Sequence, residues 1–131
     1  MKINHLYLTI NNFDKNLSWF ESLFEILEFQ KTFVYPDGGF VAFSKDDLSI
    51  GIVSSSQQFE GEKYDRFKAG MSHFALEIET REKLENIAKQ IILKLNPDLR
   101  ENLEMAIHHG KEYFTFTFYT PDKVMVELIS I

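Results

Sequence analysis

The chain has 131 residues, the size of one ordinary domain, with 44% hydrophobic residues and 13 phenylalanines, enough for a sizeable core. A formal charge of −6 without a Lys/Arg stripe argues against nucleic acid or an anionic membrane as partner. The absence of cysteine excludes disulfides and thiolate ligands. The start lacks the apolar run of a signal peptide, and no stretch is long enough to span a bilayer, so a cytoplasmic protein is expected.

Residues 2–10 alternate as a strand does. Ile3, His5, Tyr7 and Thr9 share one face, and Asn4, Leu6, Leu8 and Ile10 the other. Asn11-Asn12 is a candidate helix cap, because a short side-chain acceptor satisfies a free amide. A helix is predicted over about 13–26, with Leu17, Phe20, Leu23, Phe24 and Leu27 at helical spacing. Strands are predicted near 28–35, 39–44 and 48–53, with a turn at Asp37-Gly38-Gly39 and another at Lys45-Asp46-Asp47. Residues 54–69 lack periodicity and read as the connection between two halves.

The second half repeats the order. A strand over about 71–79 leads to Thr80 as cap and a helix to about 94, ended by Asn96-Pro97-Asp98. Strands near 103–108, 113–119 and 124–130 follow, with turns at His109-Gly110-Lys111 and Thr120-Pro121-Asp122-Lys123. Phe114, Phe116 and Phe118 should lie beneath the helix, leaving Thr115, Thr117 and Tyr119 on the other face.

The two halves share a residue pattern as well as an order. His5-Leu6-Tyr7-Leu8-Thr9-Ile10 returns as His73-Phe74-Ala75-Leu76-Glu77-Ile78, 68 positions later (73 − 5). Such a half-length repeat means two copies of one supersecondary unit. In both copies a histidine, a common metal ligand, opens the first strand. Glu127 lies between apolar neighbours in the last strand, where a carboxylate is costly unless exposed, paired or bound to a cation. Each residue alone also fits a plain reading: a hydrogen-bonded or exposed histidine, or an edge glutamate facing water.

These features, with the closing segment Phe118-Tyr119-Thr120-Pro121-Asp122-Lys123-Val124-Met125-Val126-Glu127-Leu128, resemble the vicinal oxygen chelate superfamily. That group includes glyoxalase I, bleomycin-resistance proteins, fosfomycin-resistance enzymes and extradiol dioxygenases. Thr120 stands where the family's closing motif has aspartate, and Lys123 where it has glycine. The resemblance implies an α+β fold: two βαβββ modules forming a cupped, incomplete barrel in a single domain over 1–131. Module one covers about 1–53, the linker about 54–69 and module two about 70–131.

By the same resemblance the metal ligands are His5, His73 and Glu127. Gly51 occupies the position of a fourth ligand, which weakens a glyoxalase reading. Two imidazoles and a carboxylate suit a divalent ion such as Fe, Mn or Zn. Tyr7, Thr9, Thr115, Thr117 and Tyr119 would line the cup. Glu77 is a candidate proton acceptor, set against the plainer reading of a solvent-facing glutamate. His108-His109 reads as an exposed hairpin tip rather than a metal pair.

The function implied is a metal-dependent enzyme acting on a small oxygen-rich molecule, with lyase, isomerase, transferase and dioxygenase chemistry all open. Extradiol dioxygenases usually carry two such domains in tandem, and the basic residues that hold a phosphonate after the last ligand are missing here. The alternative is a metal-free small-molecule binding protein of bleomycin-resistance type, which the acidic balance would suit to a cationic ligand. A homodimer is expected in either case, since exposed sheet edges benefit from pairing.

Overall fold

The computed structural model describes residues 1–131, apart from the side chain of His108. Two compact units emerge, Met1–Glu62 and Lys63–Ile131. The first contains β1 (His5–Ile10), α1 (Phe13–Ile26), β2 (Gln30–Val34), β3 (Phe40–Lys45) and β4 (Leu48–Ser54). The second contains β5 (His73–Glu77), α2 (Arg81–Leu95), β6 (Leu99–His108), β7 (Lys111–Tyr119) and β8 (Met125–Ser130). Each unit is therefore a βαβββ module, as the repeat predicts.

Both modules use one topology. The sheet orders are β1-β4-β3-β2 and β5-β8-β7-β6. In each, the first strand runs parallel to the last, and the remaining pairs are antiparallel. The crossover that a parallel pair requires is supplied by the helix and the two following strands.

Binary patterning sets the core of each unit. Leu8 and Ile10 of β1 are buried, while His5, Tyr7 and Thr9 on the opposite face are exposed. The apolar stripe of α1 buries Phe20, Leu23, Phe24 and Ile26, and Phe24 stacks on Phe43 of β3 with ring centroids 4.6 Å apart. In the second unit α2 buries Leu84, Ile87, Ala88 and Ile91. Phe114, Phe116 and Phe118 are buried, and the Arg81 guanidinium at the start of α2 lies over the Phe114 ring. The phenylalanine row thus faces the helix, as its alternation implies.

Asn12 does not cap α1 through its side chain. It adopts a left-handed conformation (φ 47°, ψ 54°) and makes no side-chain cap bond, a backbone state that asparagine tolerates better than most residues. Its backbone N–H donates instead to Glu60 Oε1 at 2.7 Å. The Asn11 side chain is engaged by the connecting segment: its Nδ2 donates to the Glu62 carbonyl and its Oδ1 accepts from the Gly61 N–H. That segment, with its short 3-10 helix over Gln57–Phe59, is fastened to the β1–α1 corner.

The second helix starts as expected, with Thr80 Oγ1 accepting from the Lys83 N–H at 3.2 Å. Its end is a left-handed Asn96. β6 begins at Leu99, earlier than the alternation suggests, because two register shifts before Glu104 break its period. His109 and Gly110 both have positive φ at the turn into β7, and His109 is exposed. The expectation for His108 falls on a side chain outside the described residues. Among the described residues no helix is long and apolar enough to cross a membrane.

Candidate functional site

The turn into β8 explains two departures from the family's closing motif. Thr120 Oγ1 accepts from the Val124 N–H at 3.1 Å, so a hydroxyl does the turn-closing work open to an aspartate. Lys123 has φ +69°, the left-handed state that glycine adopts without steric cost. β8 then delivers Glu127 at a fixed rung.

That rung reads Ala75, Glu127, Thr117 across β5, β8 and β7. Two residues earlier, on the same face, stand His73, Met125 and Tyr119, and two residues later Glu77, Ile129 and Thr115. Cross-strand partners share a face. His73, Glu127, Thr115, Thr117 and Tyr119 therefore stand together on the face opposite the phenylalanine row. His73 Nε2 lies 3.9 Å from Glu127 Oε2, beyond hydrogen-bond range.

Burial divides the pair. The Glu127 side chain is only 12% exposed, whereas the His73 side chain keeps 41% of its surface open. Thr115 and Thr117 are buried and their hydroxyls have no hydrogen-bond partner. Glu77 is exposed and shares the face with His73, but four strand residues separate them by roughly 13 Å between Cα atoms. It therefore serves only a ligand long enough to span that distance.

Two donors each about 2.1 Å from one ion stand roughly 3.0–3.4 Å apart at adjacent octahedral or tetrahedral positions. At 3.9 Å the imidazole nitrogen and the carboxylate oxygen would have to close by about half an ångström to hold an ion together. No group of three or more His, Asp or Glu side chains placed to hold a metal is found among the described residues.

His5 belongs to the other unit, at the equivalent rung of its own sheet. There His5 pairs with Ser49, and Tyr7 with Gly51. Tyr7 and Gly51 thus match Ala75 and Glu127. The Gly51 position is sterically closed: a Cβ there would fall 2.7 Å from atoms of both Tyr7 and Phe40. Rings stand where a fourth ligand would need room. His5, Tyr7, Phe40 and Phe33 form a run of ring contacts, at 5.0, 5.2 and 6.0 Å between successive centroids. Tyr7 and Thr9 are exposed on this face.

Sequence reasoning passed over two residues beside the His73–Glu127 pair. Arg66, ahead of β5, and Arg100, on β6, each direct Nη1 at Met125 Sδ, at 3.0 and 3.4 Å. Neither belongs to a periodic pattern that would have marked it.

No family model matches the sequence, and no curated protein matches it. Solved structures do. A glyoxylase/bleomycin resistance protein/dioxygenase domain from Frankia sp. EAN1pec superposes with a TM-score of 0.79 at 16% identity, covering 99% of this chain and 91% of that one. A glyoxalase/bleomycin resistance protein/dioxygenase from Alicyclobacillus acidocaldarius gives 0.68 at 14% identity, covering 98% and 90%. Lactoylglutathione lyase from Agrobacterium tumefaciens gives 0.66 at 11%, covering 98% and 92%. The chain has the fold of the vicinal oxygen chelate superfamily. At these identities the likeness is one of fold and leaves the chemistry to the residues.

Proposed function

We propose that the chain is a divalent-metal-dependent enzyme acting on a small oxygen-rich molecule, with His5, His73 and Glu127 as the metal ligands. The observation that carries the reading is the 3.9 Å approach of His73 Nε2 to Glu127 Oε2 on one sheet face. His5 enters as the ligand from the matching rung of the first module. An Fe(II), Mn(II) or Zn(II) ion held there would supply Lewis-acid polarisation of substrate oxygens.

The chain's own residues do the remaining work. Glu127 provides a buried carboxylate whose desolvation a cation would offset. His73 keeps a solvent-accessible edge. Tyr119 offers a polar contact to substrate on the same face, with Tyr7 and Thr9 doing so from the first module; the buried Thr115 and Thr117 hydroxyls line that face from beneath and reach a substrate only where it opens. Glu77 accepts a proton at its carboxylate only from an extended substrate. A homodimer in the cytoplasm that binds neither nucleic acid nor membrane belongs to the same proposal, and a monomer in light scattering would remove its oligomeric part.

The test is direct titration with Mn(II), Zn(II) and, anaerobically, Fe(II), on protein purified without chelators. His73→Ala and Glu127→Gln should each weaken metal binding by about a hundredfold or more. Unchanged affinity in His73→Ala sinks the assignment. A second reading, a metal-free binding protein, is favoured by the aromatic run His5, Tyr7, Phe40 and Phe33. Substoichiometric metal that does not rise on addition of any of the three ions would select it.

A further inference from the structure

The net charge of −6 suits a cationic ligand, yet two cationic side chains stand beside the carboxylate of the candidate site. Two guanidinium groups from distant stretches converge on the sulfur of Met125. Met125 is the rung partner of both His73 and Tyr119 and lies two residues before Glu127 on β8. A thioether is a weak acceptor and gives two cations little reason to share it. Arg100 has a carboxylate beside it, with Glu101 Oε1 3.3 Å from its Nε. Arg66 has none among the described residues: its Nε is buried without a hydrogen-bond partner, and its guanidinium lies over the exposed Phe67 ring. The segment carrying Arg66 is held, since Tyr64 Oη donates to the Met71 carbonyl just ahead of β5.

We propose that Arg66 and Arg100 form a binding pair for a carboxylate group of the ligand, next to His73 and Glu127. A guanidinium presents planar donors that match two oxygens of one oxyanion. A carboxylate approaching from the exposed side of Arg100 would draw both guanidinium groups off the buried Met125 sulfur and give Arg66 an opposite charge. Glu101 answers Arg100 and Glu127 adds a further negative charge two residues along β8, so the subsite tolerates a monoanionic carboxylate better than a dianionic phosphate. The inference deepens the proposed function by naming the substrate class: a small acid with further oxygens close to its carboxylate. It uses only groups of the second unit and does not need the metal.

The test uses the full chain stripped of metal by chelating resin, labelled with nitrogen-15. The arginine Nε–H resonances are followed during titration with pyruvate, with its neutral amide pyruvamide, and with inorganic phosphate. Pyruvate should shift the Arg66 and Arg100 signals, and pyruvamide should not. Arg66→Gln should weaken pyruvate binding about tenfold or more, the usual scale for losing a charge-assisted hydrogen bond. If that variant fails to fold, the wild-type resonances still decide. Shifts from phosphate alone overturn the choice of carboxylate, and no shift from either anion overturns the subsite. Because metal titration is a separate measurement, loss of the subsite with metal binding intact leaves the enzyme proposal standing.

Discussion

At matching rungs the first sheet presents Tyr7, Gly51 and Ala42 where the second presents Ala75, Glu127 and Thr117. Two residues further along, Thr9, Val53 and Phe40 correspond to Glu77, Ile129 and Thr115. The backbone ladder is the same, yet one face is aromatic around a glycine and the other is polar around a carboxylate. The cores differ in the complementary way. In the first module large rings sit on both layers, as Phe20 and Phe24 of the helix and Phe43 of β3; in the second they sit on the strand alone, as Phe114, Phe116 and Phe118. A duplicated topology therefore constrains where side chains point, and leaves open which chemistry each half carries.

Removing the large rings tests the core half of that contrast. Phe20→Ala in the first module and Phe116→Ala in the second each empty a fully buried site and should cost about 3–5 kcal/mol, measured by urea unfolding. A cost under about 1 kcal/mol at either position would mean that its module recloses around the loss. Equalising the two faces should cost less. Gly51→Glu gives the first module the carboxylate of the second, but Tyr7 and Phe40 must move aside, with an expected loss of about 1–3 kcal/mol. Adding Tyr7→Ala should recover part of it. Strict additivity of the two changes would show that the ring does not guard the glycine.

Thr117→Val makes the second face more like Ala42 of the first. Its buried hydroxyl has no partner, so the variant should gain about 1 kcal/mol. A loss of stability instead would mean that the hydroxyl is bonded in solution.

The smallest effect concerns the segment after β4, where the Ser55 hydroxyl and then the Asn12 N–H hold the Glu60 carboxyl below its ordinary value. A depressed value contributes stability that is complete above the unfolded-state value and disappears as pH falls through the folded one. Proteolysis of the 55–62 segment should therefore quicken only on the acid side. Glu60→Gln should raise the neutral-pH rate and flatten the dependence. An unchanged profile would place the hold elsewhere.

Much of the fold could be read from residue patterns. Alternation in β1 and β7 and helical spacing in α1 and α2 are strong signals because each element has one buried face. That His73 shares a face with Glu77, and Glu127 one with Met125 and Ile129, was legible because strands keep a period of two; the rungs that join β5 to β8 were not. Other features left no local trace. The left-handed state of Asn12 reflects what its backbone bonds to, 48 residues away. The early start of β6 hides in a polar run interrupted by register shifts. Arg66 lies in a stretch without periodicity, and only tertiary structure brings it to Met125.

The Asn11 fastening bears on how the polypeptide could be divided. Because Gly61 and Glu62 bond to Asn11, a backbone cut ahead of them would strip the amino-terminal fragment of its own braces. A break just after Glu62 would leave them intact, and falls where the two compact units meet in sequence. Co-expressed halves split there are the natural starting point for fragment complementation, with each piece keeping its full set of four strands and a helix.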